Sequence, residues 1–159
     1  MIEKRKVFSS KDYRCELKKV YDSIDLFQLE TIKEIFISES QKNTLRGMHF
    51  QTKPYELNKI VVCLEGHVLD VIVNINKQSK EFGKCSFIEL NENDSIFVPS
   101  EYAHGFYCYE NSKLLYVTDN VHSKEYESGV LWNSIDFDWP IKNPIISERD
   151  SHLGKINEL

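Results

Sequence analysis

The chain is 159 residues long, 41% hydrophobic and 28% charged, with a formal net charge of -5. These values fit one globular domain spanning residues 1–159 and exclude fibrous and disordered classes. The acidic balance speaks against a nucleic-acid backbone as partner, which needs a basic face. Met1-Ile2-Glu3-Lys4-Arg5-Lys6-Val7 is too polar for the core of a signal peptide, and no later apolar run approaches membrane-spanning length. A soluble, cytoplasmic protein with no membrane partner is therefore expected. Cys15, Cys63, Cys85 and Cys108 are widely spaced and form no CxxC pair. They are expected as reduced thiols in core positions, not as a disulfide framework or a four-cysteine zinc site.

In chain order, residues 1–40 carry a weak signal: 13–17 and 32–37 suit strands, and 20–29 suits either a strand or a short helix. The first strong feature is Leu45-Arg46-Gly47-Met48-His49-Phe50-Gln51. It gathers a cation, a glycine, an imidazole and an amide on an otherwise apolar, strand-like stretch, as expected where a strand passes through a ligand cavity. The plainer alternative is a strand end whose histidine is a satisfied core group. After a loop containing Pro54, two β-branched runs at 58–64 and 67–75 flank Glu65-Gly66 and read as a hairpin. In the second run Leu69, Val71, Val73 and Ile75 share one face and Val68, Asp70, Ile72 and Asn74 the other, so both faces should be covered. Further strands are expected at 84–90, 95–98, 105–109 and 113–118, separated by Asn/Asp/Ser/Gly turns. Many short strands without a convincing helix point to an all-β sandwich or barrel. Residues 129–159 are irregular, with Trp132, Phe137 and Trp139 expected to dock them onto the barrel.

The stretch Asp94-Ser95-Ile96-Phe97-Val98-Pro99-Ser100-Glu101-Tyr102-Ala103-His104-Gly105 runs from an Asx turn through a strand and a proline to a histidine beside a glycine. It is similar to the second signature motif of cupins, the small jelly-roll barrels. A metal-binding cupin usually supplies HxH and a glutamate from its first motif, and here Gln51 stands where the second histidine would be. An amide is a poor transition-metal ligand beside imidazole or carboxylate, so a metal-free cavity is expected.

The segments Leu45–Gln51, 58–70, 99–106, 114–116, 129–132 and 147–150 resemble the nucleotide-sugar 3,5-epimerases typified by dTDP-4-dehydrorhamnose 3,5-epimerase. RGxHFQ, PxxxAHGF and SxxD occur in that family's order, and the likeness covers about 44–150. It implies a cupin-type jelly-roll barrel with an irregular C-terminal segment, a homodimer and no cofactor. It further implies His49 as catalytic base, Asp150 as the carboxylate that pairs with it, Lys59 as a cation beside the keto oxygen and Tyr116 as proton donor. Arg46, His104, Glu127 and, as a Lys-to-Arg change, Arg149 match positions that hold nucleotide and sugar, with Gln51 beside them in the same pocket. The implied partner is a nucleotide-diphosphate 4-keto-6-deoxy sugar on the way to a surface polysaccharide.

These residue types suit that chemistry on their own terms. Epimerisation beside a ketone removes a carbon-bound proton and returns one to the opposite face. Imidazole, with an ordinary pKa of ~6.5, is a suitable base at cellular pH. A carboxylate on its other nitrogen fixes the tautomer and stabilises the imidazolium that forms. Charge moving onto the ketone oxygen is met by a lysine, an effect commonly worth ~3 kcal/mol per group. A tyrosine then delivers the second proton. The plain alternatives are a solvated Lys59, a core aromatic at Tyr116, a His104 that only satisfies backbone groups, and an exposed Ser147-Glu148-Arg149-Asp150-Ser151 loop. His67, His122 and His152 carry no family match and are expected on the surface.

The sequence also departs from the pattern. The family's N-terminal Arg-Gly-Phe-Phe segment, whose arginine helps bind the diphosphate, and its Gln-Asn strand have no clear counterpart. Tyr13-Arg14-Cys15-Glu16-Leu17 offers only Arg14 and Glu16, and the second region reads Ile35-Phe36-Ile37-Ser38-Glu39-Ser40. The paired tyrosines that lie against the thymine base are replaced by Val121 and His122, which opens the site to GDP, CDP or UDP as well as dTDP. A relative inverting one carbon, a ketoisomerase, a non-catalytic sugar-nucleotide binding module and a metal-dependent cupin oxygenase are the competing readings.

Overall fold

The computed structural model describes residues 3–20 and 29–159, so the strand or helix expected over 20–29 lies, apart from its ends, outside the described residues. The strands are β1 (Lys4–Lys6), β2 (Phe8–Lys11), β3 (Glu16–Lys19), β4 (Glu34–Ser40), β5 (Leu45–Gln51) and β6 (Lys59–Glu65). They continue with β7 (His67–Asn74), β8 (Cys85–Asn91), β9 (Asp94–Val98), β10 (Tyr102–Cys108), β11 (Ser112–Thr118) and β12 (Glu127–Gly129). A single helical turn, α1 (Glu148–Ser151), follows. Among the described residues no helix is long and apolar enough to cross a membrane.

Two five-stranded antiparallel sheets form, one in the order β1-β9-β6-β11-β4 and the other β12-β5-β10-β7-β8, with β2 and β3 as a separate hairpin. From β4 onward most successive strands change sheet, which is the winding of a jelly roll. The expected hairpin across Glu65-Gly66 is therefore corrected. β6 bonds to β9 and β11, whereas β7 bonds to β8 and β10. Gly66, at φ 89°, turns the chain from one sheet to the other where a Cβ would stand 2.4 Å from the Asn111 carbonyl and the Ser112 hydroxyl. A glycine between two β-branched runs signals a sharp turn and does not say whether the turn pairs its flanks or separates them.

Nearer the N-terminus the strand expected at 13–17 starts later, as β3. The Asp12 carboxylate accepts the Arg14 N–H at 2.9 Å and its guanidinium at 2.6 Å, and this local bonding makes 12–15 a turn. Cys15 is exposed on that turn, against the expectation of a core position, while Cys63 and Cys108 are buried and Cys85 is partly so.

Burial follows the alternation along β7. Val68 and Ile72 pack between the sheets with Val61, Leu90, Val98 and Leu114. Leu69, Val71 and Val73 pack on the outer face with Leu45, Met48 and Val130. Each such side chain removed from water contributes about 1.5–3 kcal/mol. The C-terminal segment covers that outer face as expected: Trp132, Phe137 and Trp139 lie against it, and the Trp139 indole N–H donates to the Trp132 carbonyl at 3.0 Å.

One irregularity sets up the cavity. β5 and β10 pair His49 with His104 but Arg46 with Phe106, so β5 spends an extra residue at Gly47-Met48. A regular strand would point positions 46 and 49 to opposite faces. The bulge turns both inward, while Leu45 and Met48 remain on the outer face. It requires close backbone contact: a Cβ on Gly47 would come within 2.6 Å of the Gly105 Cα, and one on Gly105 within 2.7 Å of the Arg46 carbonyl.

Candidate active site

Between the sheets lies a cavity of about 740 Å³. Arg46, His49 and Gln51 reach it from β5 and His104 from β10, on the wall made by the second sheet. Phe36, Lys59 and Tyr116 reach it from β4, β6 and β11 on the wall made by the first. Glu127 and Arg149 stand with His122 toward the mouth. All nine residues singled out from the sequence, Asp150 among them, thus come to one space lined from both sheets.

The His49 Nε2 donates to Asp150 Oδ1 at 2.8 Å, and the other carboxylate oxygen accepts the Gly47 N–H at 3.0 Å. Asp150 is only 4% exposed, so the exposed-loop alternative for 147–151 fails. The run is hydrophilic because it is a one-turn helix whose carboxylate points inward. Ser147 caps it, the hydroxyl accepting the Asp150 N–H at 3.1 Å. Burial works against the Asp150 carboxylate, but the bonds from His49, Gly47 and Ser147 outweigh it and hold its pKa below the ordinary carboxylate range. With Nε2–H committed to a charged partner, Nδ1 of His49 carries the lone pair that can take a proton.

On the same wall His104 makes a second pair that the sequence reading left unassigned. Its Nε2 donates at 2.8 Å to Oδ2 of Asp70, which is fully buried. Burial pushes the Asp70 pKa up, with His104 and Lys59 acting in the opposite sense. Oδ1 of Asp70 has no hydrogen-bond partner among the described residues. The available signal was a lone carboxylate on the inward face of an otherwise apolar strand.

Lys59 is not a solvated strand end. It sits among β9, β6 and β11, and burial drives its pKa down to about 8 against the opposing charges of Asp70 and Glu127. Asn58 braces this strand start by donating to Asp119 at 2.6 Å and accepting the Ser100 N–H at 2.9 Å. Tyr116 is 7% exposed and stacks on Phe36, with ring centroids 4.7 Å apart and planes 7° from parallel. It meets the His104 ring edge-on at 6.4 Å. Burial raises the phenol pKa, so the hydroxyl keeps its proton until a strong base forms beside it.

At the mouth Glu127 accepts from the Arg149 guanidinium at 2.8 Å and from His122 at 3.0 Å. Burial opposes its charge, and these two partners together hold its pKa low. His122 is exposed, as expected of it, and lines the cavity as well, whereas His67, beside Glu89, and His152, beside Ser151, stay outside the cavity. Gln51 lines the cavity from β5. Its nitrogen donates to the Tyr55 and Val121 carbonyls and its oxygen accepts the Ser123 N–H, so the group is engaged with the loops around the mouth. Among the described residues no group of three His, Cys, Asp or Glu side chains gathers to hold a metal ion.

A family model described as dTDP-4-dehydrorhamnose 3,5-epimerase matches residues 2–158. The chain belongs to the dTDP-4-dehydrorhamnose 3,5-epimerase family. Relatives of that name from Shigella flexneri and Escherichia coli K12 are 40% and 37% identical over 118 and 128 residues. These matches cover 71% and 77% of this chain but 65% and 69% of the relatives. The crystal structure of the Sulfolobus tokodaii dTDP-4-dehydrorhamnose 3,5-epimerase superposes with a TM-score of 0.91 at 33% identity, covering 99% of this chain and 91% of that one. The Bacillus anthracis epimerase, solved with TDP and PPi bound, superposes with a TM-score of 0.88 at 27% identity over 97% and 93% of the two chains. Membership in this epimerase family thus extends beyond the 44–150 core of the sequence resemblance to the N-terminal strands, where the individual motifs have drifted.

Proposed function

We propose that the protein is a cofactor-independent epimerase. It inverts one or both carbons flanking the ketone of a nucleotide-diphospho-4-keto-6-deoxy sugar, serving deoxysugar synthesis for a surface polysaccharide. The observation that carries this is the His49–Asp150 pair on one wall of the cavity with Tyr116 on the other and Lys59 inside it. Family membership supports the reaction, and the TDP held by the Bacillus anthracis relative supports the substrate class.

The steps balance without any redox partner. Nδ1 of His49 takes a proton from the carbon beside the ketone, and Asp150 stabilises the resulting imidazolium. The electron pair left on carbon moves into the ketone oxygen as an enolate beside the Lys59 ammonium. Tyr116 returns a proton to the opposite face, and the phenolate recovers its proton as the imidazolium releases one through solvent. Arg46 and Arg149, the latter paired with Glu127, suit the diphosphate end, while His104, held by Asp70, suits the sugar.

A second copy of the chain is part of the reading. β4 is an edge strand of the first sheet, and it exposes Ile35, Phe36 and Ile37 at 58%, 43% and 52%. An apolar edge of this kind is a template for pairing with another edge, which supports a homodimer.

The test is turnover of a nucleotide-linked 4-keto-6-deoxy sugar as a function of pH. Lys59 is effective only as the ammonium, which is lost as pH rises through about 8. Turnover should therefore fall on the alkaline side with a midpoint near 8, and in Lys59→Arg, always charged, this limb should vanish. No inverted product from dTDP-, UDP-, CDP- or GDP-linked sugars would refute the function.

A further inference from the structure

We infer that Ser38 is a positioning residue for the reprotonation step, its hydroxyl donating a hydrogen bond to the phenolate oxygen left when Tyr116 gives up its proton. The inference rests on the epimerase reading proposed above.

The first ground is the place of Ser38 on the wall that carries Tyr116. Glu34, Phe36 and Ser38 alternate along β4 and line the cavity, as residues on one face of a strand do. β4 pairs with β11 so that Phe36 stands opposite Tyr116 and Ser38 opposite Leu114. The Phe36 and Tyr116 rings stack at 4.7 Å with planes 7° apart, which holds the phenol against the strand face that Ser38 shares. The Ser38 Oγ is shut off from water, and in the resting protein it bonds to no group among the described residues. A buried hydroxyl without a partner costs free energy, so it calls for an explanation outside the resting state.

The second ground is what surrounds the phenol oxygen. Burial disfavours the Tyr116 phenolate, the Ser38 hydroxyl favours it by hydrogen bonding, Arg46 adds its charge in the same sense, and Asp70 and Cys108 oppose it. Proton transfer breaks the Tyr116 O–H bond and forms a C–H bond, and the O–H electron pair stays on the phenolate oxygen. A serine hydroxyl has one proton to donate. Uncommitted in the resting state, the Ser38 O–H turns toward the phenolate as its charge grows and keeps its own proton throughout. The Tyr116 O–H is thereby left to the substrate carbon. A hydrogen bond made only as charge develops lowers the barrier without tightening substrate binding.

The test compares the full-length wild type, Ser38→Ala, Tyr116→Phe and the double variant in heavy water, each with dTDP-, UDP-, CDP- and GDP-linked 4-keto-6-deoxy sugars. Ser38→Ala removes a hydroxyl that bonds to nothing in the resting protein, so it should fold as the wild type does. Its kcat for inversion should fall by about tenfold or more, the size of a lost hydrogen bond to a charged oxygen, with KM unchanged. Deuterium exchange with retained configuration should persist, because His49 and Asp150 are untouched. The double variant should be no worse than Tyr116→Phe, which already lacks the oxygen that Ser38 serves. Unchanged kcat, a loss confined to KM, equal loss of exchange and inversion, or a further loss in the Tyr116→Phe background would each overturn the inference while leaving the epimerase reading intact. A wild type that neither exchanges nor inverts any of the four sugars would overturn both.

Discussion

Replacing His49 with Asn is expected to lower epimerisation by at least about a thousandfold, within the range that a positioned general base contributes. The loss should be large because His49 is tied to the one buried carboxylate that fixes its tautomer. No second group shares its place: His104 is already committed to Asp70, and its Nε2 is bonded at 2.8 Å. The barrel should remain folded, since His49 is a partly exposed cavity residue and the outer-face packing of Leu45 and Met48 is untouched. Product formation followed by NMR, with circular dichroism as the folding control, checks both halves. Retained turnover in a folded variant would remove His49 from the mechanism.

Tyr116→Phe should separate two events that the wild type couples. The substitution deletes one hydroxyl and keeps the ring stacked on Phe36, so packing changes little. His49 and Asp150 can still remove a proton and, after exchange with solvent, return one to the face it came from. Inverted product should fall by about a hundredfold or more. Deuterium from heavy water should nevertheless continue to enter the substrate with its configuration retained. Equal loss of exchange and inversion would mean that Tyr116 does not act after proton removal.

Much of this site is legible in the sequence because its polar groups interrupt apolar strands. RGxHFQ and PxxxAHGF announce themselves against β-branched surroundings, and the turn residues between strands place β8 to β11 within a few positions. What is not legible is what depends on the other sheet. Nothing local says that Gly47 and Gly105 let two backbones close up and turn Arg46 and His49 to the same side. Nothing local says that Gly66 parts its flanking strands. Asp150 reads as a solvated carboxylate until the capped turn of α1 is laid against β5, and Asp70 until His104 arrives from β10. Nor does anything local say that the Gln51 amide is engaged by loops that lie 4 and about 70 residues away.

The central claim is that a proton leaves carbon at His49 and another arrives from the opposite wall. It is met most directly by incubating the wild-type protein in heavy water with a nucleotide-linked 4-keto-6-deoxy sugar and locating deuterium by NMR. The mechanism predicts deuterium at one or both carbons flanking the ketone, in product of inverted configuration. Nucleotide binding with no deuterium at either carbon would contradict it and leave a sugar-nucleotide binding protein in its place.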